Sequence, residues 1–316
     1  MSEAQSQPVA HHDHSLQNYT CSSYSSQLSS SSAEYSIASP IVCSGIGLHT
    51  GKYICLKLLP APAGTGIVFR RTDKNNLCIK ALYSNVIDTK LSTVIANPLY
   101  PTVRISTIEH LMAALAGNYI NNVIIECDGP ELPVFDGSAR KYVSLLQNVE
   151  HVKYPTRAKT LKILKTVRVQ DNDAFAELSP SIYKNLSLSI FINFPAKIIG
   201  KQHYSMKLTP SNFNNKIAHC RTFTFKQEID TLLEMGLVKG GSLDNAIVVE
   251  NNKIINSNGL NCKDEFVKHK MLDAIGDLSM TNMQIQGKFT GYKSGHKLNN
   301  LLLRQLMSDK KSWCVV

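Results

Sequence analysis

The chain has 316 residues with 43% hydrophobic content, which predicts one large or two medium globular domains. Its formal net charge is +10, and without an Arg-rich run or an aromatic–basic ladder this favours a phosphorylated small molecule over nucleic acid as partner. No apolar run approaches the ~20 residues that span a bilayer, and the N-terminal residues form neither a basic n-region nor an apolar h-region. We therefore expect a cytoplasmic protein without a secretory signal or stable membrane insertion.

The first half of the chain is predicted to start with a disordered extension. Residues 1–37 contain twelve serines, and such a segment buries too little apolar surface to offset its ordering entropy. The first domain then spans 38–150, with strands at 53–59, 65–70 and 122–127 and helices at 106–115 and 138–146. The polar stretch 148–159 is predicted to be a linker.

The second domain is predicted to span 151–316. Strands are expected around 161–169, 186–192 and 245–250, a helix at 225–235 and a long helix at 264–278. Each half therefore combines strands with a His-bearing helix, a weak sign of internal duplication. Because strands and helices do not alternate strictly, the order favours an α+β fold over a doubly wound parallel sheet.

The long helix carries the most informative residue pair. His269 and Asp273 are four residues apart, which places them on one side of a helix, one turn from each other. With His110 they would supply three metal ligands and leave a fourth position open, as in catalytic zinc sites. The alternative for the pair is a solvated helix face or a local hydrogen bond.

Three further residues have two interpretations each. Ser106 and Glu109 match a capping box, in which the glutamate binds the N-cap amide; alternatively, Glu109 is a general base beside a metal. His296 follows a glycine-bounded turn and either faces a cleft or lies on the surface. Asp277 either orients an imidazole or is a solvated helix residue.

Several motifs argue against other sites. The segment SGIGLHTG at 44–51 has its third glycine out of place for a dinucleotide loop and is predicted to be a tight turn. In GYKS at 291–294 the glycine and lysine are not adjacent, so it is not a P-loop. The eight cysteines include no CxxC pair, which favours reduced thiols over a disulfide framework or a zinc knuckle.

Seven segments in order resemble one family. They are SGIGLHTG at 44–51, RISTIEHLMAAL at 104–115, PELPVFDGS at 130–138, RTF at 221–223, GGSLDNAIV at 240–248, the 264–278 helix and GYKSGHKLNN at 291–300. The chain resembles the UDP-3-O-acyl-N-acetylglucosamine deacetylases, zinc enzymes of lipid A synthesis, from about residue 39 to 316. The resemblance implies two α+β domains of similar topology, each with helices packed on a sheet, and an active site between them.

The resemblance also implies residue roles. His110, His269 and Asp273 would bind zinc, with iron(II) as the alternative metal. Glu109 would be the general base, His296 the general acid and Asp277 the carboxylate that orients it. Thr222 would lie beside the reacting carbonyl, Lys270 near the substrate phosphates, and Phe223 among the substrate-binding residues. A strand–helix–strand insert at about 222–250 would form an acyl passage lined by Ile229, Val238, Leu243 and Val248.

The resemblance predicts an enzyme that removes the acetyl group from a UDP-linked acyl-sugar, acting as a monomer. Two alternatives belong to other classes. One is a catalytically silent protein that binds a nucleotide sugar or an acyl chain, and the other is a deacetylase of a different N-acyl sugar. Metal analysis would distinguish the silent binding protein from the predicted enzyme, and a substrate panel would distinguish the deacetylase of a different N-acyl sugar.

Overall fold

The computed structural model describes residues 33–316, which form strands and α-helices as follows. The strands are β1 (Ala33–Ile37), β2 (Ile41–Ile46), β3 (Tyr53–Pro60), β4 (Ile67–Arg71), β5 (Leu77–Lys80), β6 (Val86–Asp88), β7 (Val94–Ala96), β8 (Arg104–Ile105), β9 (Val123–Cys127), β10 (His151–Arg157), β11 (Thr160–Ile163), β12 (Val167–Asp171), β13 (Ala174–Ser179), β14 (Ser187–Asn193), β15 (Lys201–Lys207), β16 (Phe223–Phe225), β17 (Ile247–Glu250), β18 (Lys253–Ile254), β19 (Gln284–Gln286), β20 (Lys288–Tyr292) and β21 (Trp313–Val315). The helices are α1 (Glu109–Gly117), α2 (Arg140–Gln147), α3 (Pro210–Lys216), α4 (Lys226–Glu234), α5 (Glu265–Leu278) and α6 (His296–Ser308).

Two five-stranded sheets share one topology. The first has the order β2-β3-β9-β4-β5 and the second the order β12-β13-β20-β14-β15. In each sheet the central strand, β9 or β20, is antiparallel to one neighbour and parallel to the other. A helix precedes each central strand (α1 or α5), and another follows it (α2 or α6). The chain thus contains two α+β units of the same topology, which confirms the predicted fold class.

Alternating side chains decide which face of each sheet is buried. In β3, Ile54, Leu56 and Leu58 are at most 2% exposed, whereas the residues between them point to solvent. This period of two is typical of an antiparallel strand with one covered face. Each such side chain contributes about 1.5–3 kcal/mol on burial, so the covered faces hold the helices in place.

The helices α1 and α5 pack against each other at the centre of the molecule. Both are buried around most of their circumference, as expected for helices enclosed by other elements. Gly276 permits their close approach, because a Cβ atom at this position would clash with the carbonyl oxygen of Glu109. The crossing therefore brings the first turn of α1 next to the middle of α5.

Two boundary predictions were wrong at the start of the chain and at residues 148–159. Ala33–Ile37, which we predicted to be part of a disordered extension, form β1, and the predicted linker contains β10. The two strands pair antiparallel, from Ala33 with Arg157 to Ile37 with His151. The rest of the predicted extension, residues 1–32, lies outside the described residues.

Polar side chains of β1 are buried with hydrogen-bond partners, which explains the error. The Glu34 carboxylate accepts from the Gly64 amide at 2.7 Å and from the Asn122 side chain at 2.9 Å. The Ser36 hydroxyl is fully buried and accepts from the Ala61 amide at 3.0 Å. A hydropathy pattern does not reveal such burial, because the stabilising contacts are hydrogen bonds.

A small strand–helix–strand unit adjoins the second sheet. β16 and β17 pair in parallel, and α4 connects them. The predicted helix at 225–235 and strand at 245–250 therefore both exist, with α4 followed by Gly236 in a left-handed conformation (φ +76°). Among residues 33–316, no helix is both long and apolar enough to cross a bilayer.

Candidate active site

One cavity of about 840 Å³ collects the residues singled out in the sequence. Polar side chains line one part of it: Glu109, His110, Thr222, His269, Lys270, Asp273 and His296. Phe223 and the apolar residues Ile229, Val238, Leu243 and Val248 line another part. Asp277 lies directly behind His296. Residues far apart in the chain thus meet around one space, and both units contribute to it.

Three potential metal ligands converge at the crossing of α1 and α5. His110 Nε2 lies 3.7 Å and His269 Nε2 lies 3.3 Å from the same oxygen, Asp273 Oδ1. The three donor atoms all lie within 4.8 Å of one another, and all three residues are buried. Two imidazoles and one carboxylate are a donor set suited to a divalent ion, with room for a fourth ligand.

A hydrogen bond fixes which nitrogen of His269 is available as a ligand. His269 Nδ1 lies 3.0 Å from the carbonyl oxygen of Cys220. Because a carbonyl only accepts, Nδ1 carries the proton and Nε2 has the free lone pair. Burial lowers the pKa of His269 to about 4, so the imidazole is neutral at pH 7, as a metal ligand must be.

Lys270 holds the other oxygen of the Asp273 carboxylate. Its Nζ donates to Asp273 Oδ2 at 3.0 Å. The pKa of Asp273 is well below its usual value: burial opposes this shift, but the neighbouring charges of His269 and Lys270 outweigh it. The carboxylate is therefore ionised and oriented, with Oδ1 directed at the two histidines.

Glu109 is the first residue of α1 and its carboxylate is buried. Its Oε2 accepts a hydrogen bond from the Thr93 amide at 3.0 Å. The capping-box interpretation is wrong, because α1 starts at Glu109 itself and the Ser106 hydroxyl donates instead to the Pro130 carbonyl. Burial raises the pKa of Glu109, although the charges of His296 and His110 counteract the increase.

His296 begins α6 and faces Glu109 across the cavity. Its Nε2 lies 4.0 Å from Glu109 Oε1, and its Nδ1 donates to Asp277 Oδ2 at 2.9 Å. Burial alone would lower the pKa of His296, but the charge and hydrogen bond of Asp277 raise it to about 10. His296 is therefore protonated at neutral pH, and neither it nor Asp277 is a solvated surface residue.

Two residues that the sequence interpretation missed complete this network. Thr93 Oγ1 donates to Asp277 Oδ1 at 2.5 Å, and Asn299 Nδ2 donates to Asp277 Oδ2 at 2.8 Å. Thr93 thus binds the carboxylate behind His296 with its hydroxyl and Glu109 with its amide. The spacing of Asn299, three residues after His296, was a usable signal; Thr93 belongs to no local pattern.

The segment 44–51 also reaches the cavity, through Leu48 and His49. Only residues 48–50 form the predicted turn, whereas residues 44–46 belong to β2. Glu131 holds the turn in place by accepting from the amides of His49 and Thr50 at 2.9 and 2.8 Å. Glu131 is fully buried and was not singled out in the sequence. The predicted residues Thr222 and Phe223 line the same cavity, and the Phe223 ring packs edge-on against His269, with 6.4 Å between the ring centroids.

Comparisons with known proteins give the family of this chain. The family described as UDP-3-O-acyl N-acetylglycosamine deacetylase matches residues 34–308. A UDP-3-O-acyl-N-acetylglucosamine deacetylase of Actinobacillus pleuropneumoniae serotype 3 is 46% identical over 272 residues, which cover 85% of this chain and 88% of the relative. A protein of the same name from Haemophilus ducreyi is 46% identical over 273 residues, with the same coverage. The chain therefore belongs to the UDP-3-O-acyl N-acetylglycosamine deacetylase family.

Proposed function

We propose that this protein hydrolyses the acetamide of UDP-3-O-(3-hydroxyacyl)-N-acetylglucosamine. The products are UDP-3-O-acyl-glucosamine and acetate, and the reaction is the committed step of lipid A synthesis. The main support is the arrangement of one cavity: a set of three metal donors lies beside a Glu109–His296 pair, and an apolar part opens from the same space.

His110, His269 and Asp273 would hold the metal, which we propose is zinc. The donor chemistry fits: His269 presents a neutral Nε2, and Asp273 is ionised, so the three ligands together offset one charge of a dication and leave a position open. When bound, such an ion supplies a Lewis acid that polarises the carbonyl and increases the acidity of water. Iron(II) can occupy the same donor set, and metal analysis decides between the two.

Glu109 and His296 would move the protons of the hydrolysis. Glu109 accepts a proton from the attacking water, and its raised pKa makes it a stronger base than an exposed glutamate. His296, protonated at neutral pH, donates a hydrogen bond to the developing oxyanion and then a proton to the departing nitrogen as the C–N bond breaks. Thr222 would be a second hydroxyl donor to the oxyanion.

The remaining residues would bind the substrate. Lys270 places a cation at the cavity wall, where it can attract the diphosphate while it holds Asp273. Ile229, Val238, Leu243 and Val248 offer an apolar surface for the acyl chain. The cytoplasmic location and the monomeric state stay predictions from the sequence.

The test combines an assay on this substrate with metal analysis of variants. The wild type should release acetate, lose this activity on chelation and regain it with metal. His269→Ala should lose the metal ion of this cavity, one ion per chain, together with the activity, whereas Glu109→Ala should keep that ion and lose about 10²–10⁴-fold in rate. His203→Ala, which removes an exposed histidine outside the cavity, is the matched control and should keep both.

Three outcomes would contradict the proposal. A folded, metal-loaded wild type that leaves the substrate intact would exclude the function. Full metal occupancy in both His269→Ala and Asp273→Ala would exclude the ligand assignment. Normal turnover in Glu109→Ala would show that this carboxylate is not the base.

A further inference from the structure

We propose that His219, Cys220 and Cys262 form a second metal site, specific for thiophilic divalent ions such as zinc or cadmium. Their donor atoms, one imidazole nitrogen and two sulfurs, all lie within 4.8 Å of one another. None of the three belongs to the donor set in the large cavity. The site is therefore separate from the proposed catalytic metal and different in its chemistry.

The donor distances are close to those of a bound ion. With metal–sulfur bonds of about 2.3 Å in a tetrahedral site, two coordinating sulfurs lie roughly 3.8 Å apart. No two donor atoms are more than 4.8 Å apart, so the two sulfurs need to approach by about 1 Å at most to reach this geometry. The Cys220 thiol contacts the Lys216 carbonyl at 3.6 Å, and Cys262 Sγ lies 3.6 Å from Lys268 Nζ, so both sulfurs have only long contacts to give up.

Two contacts, a buried ion pair and an exposed hydrogen bond, hold the donor-bearing segments together before any ion binds. Arg221, next to Cys220, forms a bidentate ion pair with Glu265, at 2.9 and 3.1 Å. Asn261, next to Cys262, donates from its side chain to the His219 carbonyl at 2.9 Å. Because these contacts fix the two backbones relative to each other, little further ordering is needed to bind an ion.

The chemistry of the donors selects the ion. Two thiolates and a neutral imidazole favour soft or borderline ions over magnesium or calcium, which prefer oxygen ligands. Two thiolates also neutralise a dication, so the occupied site adds no net positive charge beside Lys268 and Arg140. Cys220 is fully buried, whereas His219 and Cys262 are partly exposed, so the ion can enter from their side.

The site is coupled to the large cavity through Cys220. Its sulfur faces the proposed ion, and its carbonyl oxygen accepts the hydrogen bond that orients His269. An ion held by Cys220 would restrict the backbone that sets the direction of His269 Nε2. This makes the second site a positioning element for the first and not a second reaction centre.

Thiolate charge-transfer absorption tests the proposal without an activity assay. The donors in the large cavity are nitrogen and oxygen, so cobalt or cadmium bound there produces no such band. The reduced holoenzyme should develop a band that saturates at one equivalent of added cobalt(II). Cys262→Ser should abolish the band, and His219→Ala should weaken binding on the order of tenfold or more, since even outer-shell changes cost 10–100-fold.

Cys55→Ser is the matched control, because Cys55 is an exposed free thiol outside the cluster; its band should equal that of the wild type. Absence of a band in the reduced wild type would overturn the proposal. A band of full size in Cys262→Ser would overturn it too, by assigning the absorption to other thiols. Loss of two free thiols on treatment with peroxide, without metal uptake after reduction, would identify a disulfide pair instead. If Cys262→Ser does not fold by circular dichroism, His219→Ala decides the question.

Discussion

Replacing Thr93 by valine should measure how much the hydrogen bonds to Asp277 contribute to activity, because the proposed catalytic side chains stay unchanged. Valine has nearly the same shape as threonine and keeps the backbone amide that binds Glu109. It removes only the hydroxyl that donates to Asp277 at 2.5 Å. Asp277 would then hold His296 with one hydrogen-bond donor fewer.

The expected size of this effect follows from the type of hydrogen bond. A hydrogen bond to a charged group contributes about 1.5–3 kcal/mol. If the whole loss is expressed in the transition state, kcat/KM falls roughly ten- to 150-fold. The buried carboxylate oxygen that loses its donor should also destabilise the fold by about 1–3 kcal/mol, or about 2–4 °C in Tm per kcal/mol.

The assay is a comparison of Thr93→Val with Thr93→Ser, which keeps the hydroxyl. Steady-state kinetics, metal content and Tm are measured on both. The valine variant should lose kcat, keep its metal and keep its KM, whereas the serine variant should stay close to the wild type. An equal loss of kcat in the valine and serine variants would refute the reasoning, because the serine variant keeps the hydroxyl and lacks only the methyl group. Unchanged kcat in Thr93→Val would show that Asp277 needs no such donor.

Three further predictions concern pH, the first strand and the acyl chain. If protonated His296 is the acid, as we propose, activity should be lost as pH rises through its pKa of about 10. Asp277→Asn removes the charge that raises this pKa and should move the basic limb of a rate–pH profile down by about 1–3 pH units. A chain that begins at Ala33 should keep the wild-type Tm and activity. One that begins after Ile37 should lose at least ~3 kcal/mol of stability, because the buried large apolar side chains of Tyr35 and Ile37 are removed; equal Tm values of the two chains would show that β1 is dispensable. Leu243→Trp should weaken the binding of long-chain substrates far more than that of truncated ones, since each buried methylene contributes up to ~0.8 kcal/mol. An equal loss of affinity for both kinds of substrate would show that Leu243 does not line the acyl passage.

Local patterns were sufficient for four of the six described helices, for some of the strands and for one part of the site. The alternation in β3 follows from the burial of one face, and the apolar residues of α5 follow from its burial on nearly all sides. The four-residue spacing of His269 and Asp273 is by itself enough to place both side chains on one side of a helix. These inferences succeed because they depend only on residues within a few positions of one another.

Features that depend on distant contacts were not predictable in this way. β1 was missed because Glu34 and Ser36 are buried through hydrogen bonds to residues 25–88 positions away. Thr93 lies 184 positions from its partner Asp277. The scattered cysteines gave no sign that Cys220 and Cys262 meet. In each case the information lies in the packing of units and not in a local sequence pattern.

The helices α1 and α5 occupy equivalent places in two units of the same topology, so the ligand set belongs to neither unit. One unit supplies His110, and the other supplies His269 and Asp273. Each half of the chain alone has too few donors for a tight site, and an ion held by all three acts as a cross-link between the halves. Its binding free energy therefore adds to the cohesion of the molecule.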